Sequence, residues 1–141
     1  MRDWQAFNRG VAEHMRAHGG EGPERWAGRP LLLLITTGAR SGLSRTTPLL
    51  YSTDGDRIVV ISSKGGEPAH PDWYHNLVAH PDAVVELGGK TLPVRAEIAQ
   101  GDERRRLFDQ HAAQMPFFAE YERTTARTIP VVILTPRPGN T

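Results

Sequence analysis

The residues with the clearest chemical purpose lie in one short stretch, Gly38-Ala39-Arg40-Ser41-Gly42-Leu43-Ser44-Arg45. Its glycines let a ligand approach the backbone, Ser41 and Ser44 supply hydroxyl donors, and Arg40 and Arg45 supply guanidinium groups, all suited to phosphate oxygens. From Arg25 through Thr53 there is no Asp or Glu, while Arg25, Arg29, Arg40 and Arg45 all fall inside that span. The stretch therefore suits a small anion. It is not a Walker-type loop, because no Gly-Lys-Ser/Thr closes it and a strand-like run follows, and the dinucleotide fingerprint fails for the same reasons. An ordinary solvated turn has the same composition, so the loop needs support from the rest of the chain.

Thr46, Thr47, Pro48, Leu49 and Leu50 follow directly. Pro48 withholds a backbone donor, which fits either an edge strand or a strand interrupted where something docks. Ser62-Ser63-Lys64-Gly65-Gly66 repeats the loop's chemistry at the end of another apolar run. Trp73-Tyr74-His75-Asn76-Leu77 offers rings to flank a planar ligand and an amide to bond it, or else packs in the core. Phe117, Phe118 and Tyr121 form a second aromatic patch that either roofs a pocket or fills the interior.

His70, His75 and His80 invite a metal reading, but steps of five rotate by about 140° on a helix and share no face, so no metal site is expected. No Ser/His/Asp order, paired acids or histidine-lysine dyad stands out, so any redox or transfer chemistry must come from a bound cofactor. Arg104-Arg105-Arg106 reads as a solvated helix face.

The 141 residues make one domain, and 38% apolar with 23% charged residues suits a globular chain. A net charge of +1 gives no global field for a polyanion, so no nucleic-acid partner is expected. The absence of cysteine excludes disulfides, thiolate nucleophiles and iron–sulfur clusters. The longest apolar run, Leu31 to Ile35, is far short of the ~20 residues that span a bilayer, and no apolar signal core opens the chain; a cytoplasmic protein is expected.

These residues need elements to hold them. Trp4, Phe7, Val11 and Met15 recur at helical spacing, giving an amphipathic helix over residues 2–18 that packs on the core or lies on a lipid surface. Residues 19–30 form a Gly/Pro-rich linker. Strands are predicted at 31–37, 46–52, 57–62, 83–87, 91–99 and 129–135, with Asp54-Gly55 and Gly88-Gly89 as hairpin turns and Pro93 placing its strand at an edge or bulge. Helices are predicted from Asp72 to Ala79, from Asp102 to about Met115, and over 117–123, with Asp72 and Asp102 as N-caps. Six or so neighbouring strands joined by hairpins argue for a mainly β, α+β fold, an antiparallel barrel with flanking helices.

Taken in order, four motifs make the chain resemble the deazaflavin-dependent nitroreductase family of actinobacteria. They are Thr36 to Gly42 with Arg45 and Pro48-Leu49, then Ser63 to Gly66, then Trp73 to Leu77 with His80-Pro81, and Arg127 to Pro130. The resemblance runs from about Phe7 to Pro136 and implies a split β-barrel, FMN-binding-like in fold, of six to seven antiparallel strands. It implies coenzyme F420 as cofactor, with FMN as the alternative, and hydride transfer to a small-molecule substrate such as a quinone or enone; a non-catalytic F420 carrier is the other alternative. Ala39, Arg40, Ser41, Arg45, Thr46, Thr47, Pro48, Leu49 and Leu50 would line phosphate and deazaflavin. Ile61, Ser62, Ser63 and Lys64 would lie opposite, and Trp73, Tyr74, His75, Asn76 and Leu77 would complete the site. The acceptor side would be Met115, Phe118 and Tyr121, where two positions lack the tyrosines of nitroimidazole-reducing relatives, so nitro reduction is expected to be weak. The extra tail carboxylates of F420 would draw on Arg25, Arg29 and Arg40. A monomer or homodimer, with peripheral membrane contact through the first helix, completes the expectation.

Overall fold

A computed structural model of the chain describes residues 4–23, 28–62, 71–125 and 127–137. The elements run α1 (Trp4–Ala17), β1 (Leu31–Thr37), β2 (Ser44–Leu50), β3 (Ser52–Asp54), β4 (Arg57–Ile61), α2 (Asp72–Ala79), β5 (Asp82–Leu87), β6 (Lys90–Ile98), α3 (Gly101–Gln114), α4 (Phe117–Thr124) and β7 (Val131–Pro136). Seven antiparallel strands form one sheet in the order β2-β1-β5-β6-β7-β4-β3. The first and last strands of that order, β2 and β3, are consecutive in the chain and separated only by Tyr51. One bent segment thus pairs with β1 through its first half and with β4 through its second, curling the sheet into a split barrel. The predicted run 46–52 is this segment, and the break falls at Tyr51, whose N–H turns to the carbonyl of Pro30 at 3.0 Å.

Strand periodicity explains the apolar runs. Leu32 and Leu34 of β1 point into the barrel with Ile58, Val60, Val85, Val94, Val132 and Leu134, where Trp73 and Leu77 of α2 plug the interior. The alternate residues Leu31 and Leu33 face outward under Val11, Ala12 and Met15 of α1. Val59, Ile61, Val131 and Ile133 likewise face outward under Leu107, Phe108, Met115 and Phe118 of α3 and α4. Both faces of β1, β4 and β7 are therefore covered, which is why they read as continuous apolar stretches. The α1 stripe is divided: Val11 and Met15 are buried on the sheet, whereas Phe7 is 41% exposed.

Several boundaries and roles differ from the sequence expectation. Asp72 and Asp102 are not caps; Pro71 and Gln100 take those positions and the acids lie in the first turns, where they still oppose the helix dipole. Pro93 sits in a strand flanked on both sides, where its carbonyl accepts from Arg137 N–H at 2.8 Å; with no N–H to return the bond, the β6–β7 ladder ends at this position. Pro48 lies on the edge strand β2, opposite Leu33. Of Arg104-Arg105-Arg106, Arg105 and Arg106 are exposed as a solvated face would have them and Arg104 is half-buried, but all three are also engaged. Arg104 donates through Nη2 to the carbonyl of Ile129 at 2.7 Å, Arg105 binds Asp109 and Glu122, and Arg106 binds Asp54. The Arg106 and Arg57 hydrogen bonds hold the Asp54 carboxyl well below the usual carboxylate range.

Beneath α3, His111 is fully buried and its Nδ1 lies 2.7 Å from the hydroxyl of Ser52 at the start of β3. Its ring meets Phe118 edge-on at 4.5 Å, and burial pushes its pKa down to about 4. The imidazole is neutral at pH 7 and ties α3 to the bent strand that closes the barrel.

Candidate functional site

The loop after β1 closes on itself. Gly38 donates to the carbonyl of Leu43 at 2.8 Å, Gly42 donates to the carbonyl of Gly38 at 2.9 Å, and Leu43 donates to Ser41 Oγ at 3.1 Å. A Cβ on Gly38 would stand 2.6 Å from Ser41 Oγ and 3.2 Å from the Leu43 carbonyl oxygen, so a larger residue would displace the Ser41 hydroxyl from Leu43 N–H and press on the backbone. The loop is thereby pre-organised, with the side chains of Arg40 and Arg45 carried on a fixed frame. Arg40 is exposed and has no partner among the described residues, and Arg45 reaches only the carbonyl of Ser44, at 3.4 Å.

A single buried side chain anchors this loop to α2. Asn76 accepts the Ala39 N–H through Oδ1 at 2.9 Å and donates through Nδ2 to Thr36 Oγ1 at 3.1 Å. Because a backbone N–H can only donate, the oxygen must face Ala39, which fixes the amide's orientation. Sequence reading offered Asn76 as a ligand-bonding amide; in the structure its two ends are engaged by the protein, and it sets the height of the loop.

An open cleft of about 1030 Å³ lies between the loop, the start of β2, α2 and one face of α1. It gathers Ala39, Arg40, Ser41, Arg45, Thr46, Thr47, Trp73, His75 and Asn76 of the expected site. Pro48, Leu49 and Leu50 continue along β2 outside the lining, half-buried. Leu77 is buried in the barrel interior, and Tyr74 packs half-buried against the same cluster. Ile61 is buried beneath α3 and α4, and Ser62 is fully buried, its hydroxyl without a partner among the described residues and its carbonyl accepting from Arg127 at 2.8 Å. Ser63, Lys64 and His70 lie outside the described residues. No group of three metal-ligating side chains occurs among the described residues.

Met115, Phe118 and Tyr121 do not line the cleft. Met115 and Phe118 are buried between α3, α4 and the sheet, and Tyr121 packs half-buried beside them. Of the expected tail cations, Arg40 lines the cleft, Arg29 lies over the Phe117 ring at 5.5 Å and outside the lining, and Arg25 lies outside the described residues.

What sequence reading missed is the wall supplied by α1. Asn8, Arg9 and Arg16 line the cleft, and Asp72 adds an acid at the start of α2. Arg9 and Arg16 are seven residues apart, close to two helical turns, and so share a face; that spacing was the available signal. The helix is locked in place at its far end. Arg16 Nε donates to Glu86 Oε1 at 3.1 Å, and this pairing lowers the Glu86 pKa. Gly20, at φ +98°, packs so closely on the β5–β6 turn that a Cβ there would lie 3.0 Å from Gly88 Cα.

The fold and site define a split-barrel protein with a cationic, hydroxyl-rich cleft at one end. The chain belongs to the F420H2-dependent quinone reductase family, which matches residues 7–136. It is 42% identical over 113 residues to an F420H2-dependent quinone reductase of Mycobacterium tuberculosis, a match covering 77% of this chain and 74% of that protein. A solved F420H2-dependent reductase is 40% identical with a TM-score of 0.70, over 75% of this chain and 94% of that one. A further solved structure, described as a domain-swapped dimer, is 34% identical with a TM-score of 0.72, over 94% of this chain and 99% of that one. No helix among the described residues is long and apolar enough to cross a membrane.

Proposed function

We propose that the protein is an F420H2-dependent reductase that carries a hydride from the deazaflavin to a quinone or a similarly electron-poor enone. The observation that carries this is the cleft: in a chain of this family, residues of the basic loop, the hydroxyl-bearing start of β2 and the start of α2 border one space. The residues fit the group on chemical grounds. Among the described residues, guanidinium groups outnumber the single acid in the lining and the two on the loop have no carboxylate partner, and a volume of about 1030 Å³ suits a cofactor-sized ligand.

In this reading Arg40 and Arg45 neutralise the phosphate, with the Ser41 and Thr46 hydroxyls as further donors. Thr47 and Trp73 border the ring system, and Asn76 keeps the loop at the height that places those donors. Bound and reduced, F420 supplies the hydride. The quinone takes up that hydride and one proton from solvent to become a hydroquinone, so the chain needs no nucleophile of its own. Its contribution is to orient the acceptor over the ring. Met115, Phe118 and Tyr121, expected on the acceptor side, pack away from the cleft, and the described lining holds no tyrosine hydroxyl to bond a nitro group; slow nitro reduction is the reading this supports.

The described lining residues come from one copy of the chain, and a monomer or homodimer is kept as the assembly. We read α1 as a wall of the cleft and not as a membrane anchor, since Val11, Ala12 and Met15 are buried on the sheet.

Paired titrations with F420 and FMN test the cofactor, and anaerobic oxidation of reduced F420 by menadione tests the reaction. Tighter FMN binding would overturn the choice of cofactor. F420 binding without oxidation above background by several quinones and enones would make the protein a carrier. Nitroimidazole turnover as fast as quinone turnover would overturn the acceptor preference.

A further inference from the structure

Arg9 is the cation that the cleft leaves without an assigned role. It lines the space from α1, opposite the basic loop, and it is solvent-exposed with no carboxylate partner among the described residues. Its helical neighbour Arg16 borders the same space but is already committed to Glu86, so it offers little further attraction to an anion. α1 is packed on the sheet through buried Val11, Ala12 and Met15, with the Arg16–Glu86 pair at its end, so Arg9 is presented from a packed helix. Asp72 is the acid in the lining, and it sits across from α1 on α2. An extended anionic ligand anchored on Arg40 and Arg45 is therefore repelled from the α2 side and attracted towards the α1 side.

We propose that Arg9 is the recognition residue for the carboxylate tail of the cofactor, distinct from the phosphate site on the loop. The inference rests on the F420 reading above. A phosphate carries one compact charge that Arg40 and Arg45 suffice to hold, whereas a chain of carboxylates extends beyond it and needs a cation displaced from the loop. Arg29 does not fill this role, because its guanidinium is stacked on Phe117. Among the described residues, the first helix thus offers the cation that Arg29 does not. Asp72 gives the cleft a polarity that favours one direction for the tail.

Equilibrium fluorescence titration of the full chain tests this with two probes: F420 bearing several glutamates, and the deazaflavin phosphate lacking them. Arg9→Gln is expected to weaken binding of the glutamylated probe by about three- to fivefold, the scale of an exposed ion pair. It should leave the tail-free probe within about twofold, and Arg9→Lys should restore most of the loss. Asp72→Asn should strengthen the glutamylated probe selectively. Raising salt to about 0.5 M, where screening shortens to a few ångströms, should erase the difference between wild type and Arg9→Gln. Equal effects of Arg9→Gln on both probes, or no effect on either, would overturn the tail assignment while leaving F420 binding intact. Failure of the wild type to bind either probe would overturn the F420 reading and this inference together.

Discussion

Replacing Asn76 separates two effects that the structure joins in one side chain. Asn76→Ala removes the bonds to Ala39 N–H and to Thr36 Oγ1. Each is worth about 1 kcal/mol net, and the Thr36 hydroxyl, in a residue only 2% exposed, is left dry and unpaired, so the total loss is about 2–3 kcal/mol. For a chain of this size that lowers Tm by roughly 6–12 °C. Asn76→Asp behaves differently. A carboxylate can still accept from Ala39 N–H, and Thr36 can rotate to donate to its other oxygen, so the fold should lose less than in the alanine variant. The new charge, however, faces the anion. For a phosphate roughly 8 Å away at an effective dielectric of ~20, the repulsion is about 2 kcal/mol, or some thirtyfold in Kd. Thermal melts and F420 titrations on both variants give the readout. The expected order is Ala below Asp in Tm, but Asp weaker than Ala in cofactor affinity. A Tm for Asn76→Ala within about 2 °C of wild type would refute the anchoring argument, and equal affinities for the two variants would refute the electrostatic one.

Arg45→Ala should weaken F420 binding by about 1.5–3 kcal/mol, the scale of a charge-assisted bond to phosphate, with little change in melting temperature; a loss below about twofold would remove Arg45 from the phosphate site. Gly38→Ala should destabilise the protein by about 1–2 kcal/mol and reduce cofactor affinity, because the added methyl meets Ser41 Oγ and the Leu43 carbonyl; unchanged binding and stability would show that the turn can relax. His111 imposes a pH dependence on stability. Its folded pKa of about 4 lies below the ordinary histidine value of 6.5, so the unfolded chain binds the extra proton between those limits and stability falls as pH drops through that window. The full effect is about 3 kcal/mol, and His111→Gln should flatten the slope of denaturant stability between about pH 6.5 and 4.5; an unchanged slope would exclude the histidine as its source.

Much of this protein is determined within short windows of sequence. The alternation of apolar residues in β1 and β4, the Asp54-Gly55 turn and the Gly-flanked basic loop are local properties, because strand period, turn geometry and donor chemistry depend on residues close in the chain. These windows place the strands to within a residue or two and identify one side of the cleft. Neighbours across the chain are another matter. The bent strand that closes the barrel depends on β2 and β3 pairing with different partners, which makes Tyr51 a hinge that no local pattern marks. The Arg104 to Arg106 run reads as a solvated face, and Arg105 and Arg106 do stay exposed, but only folding brings Asp54, Glu122 and the Ile129 carbonyl within their reach. Pro93 looks like an edge residue because the point at which β7 joins β6 is a matter of register.

The site divides in the same way. Its loop could be read from residues 38–45 alone, since the chemistry of glycine, hydroxyl and guanidinium is carried by the residues themselves. Its opposite wall could not, because residue 9 reaches residue 40 only after α1 has packed on β1 through Val11, Ala12 and Met15. Equally, only packing decides that Arg29 stacks on Phe117 and that Asn76 holds the loop in place. Sequence determined which groups could bind an anion, because charge and hydrogen-bonding capacity are properties of single residues. Tertiary structure decided which of them share a space, because that depends on contacts between segments distant in the chain.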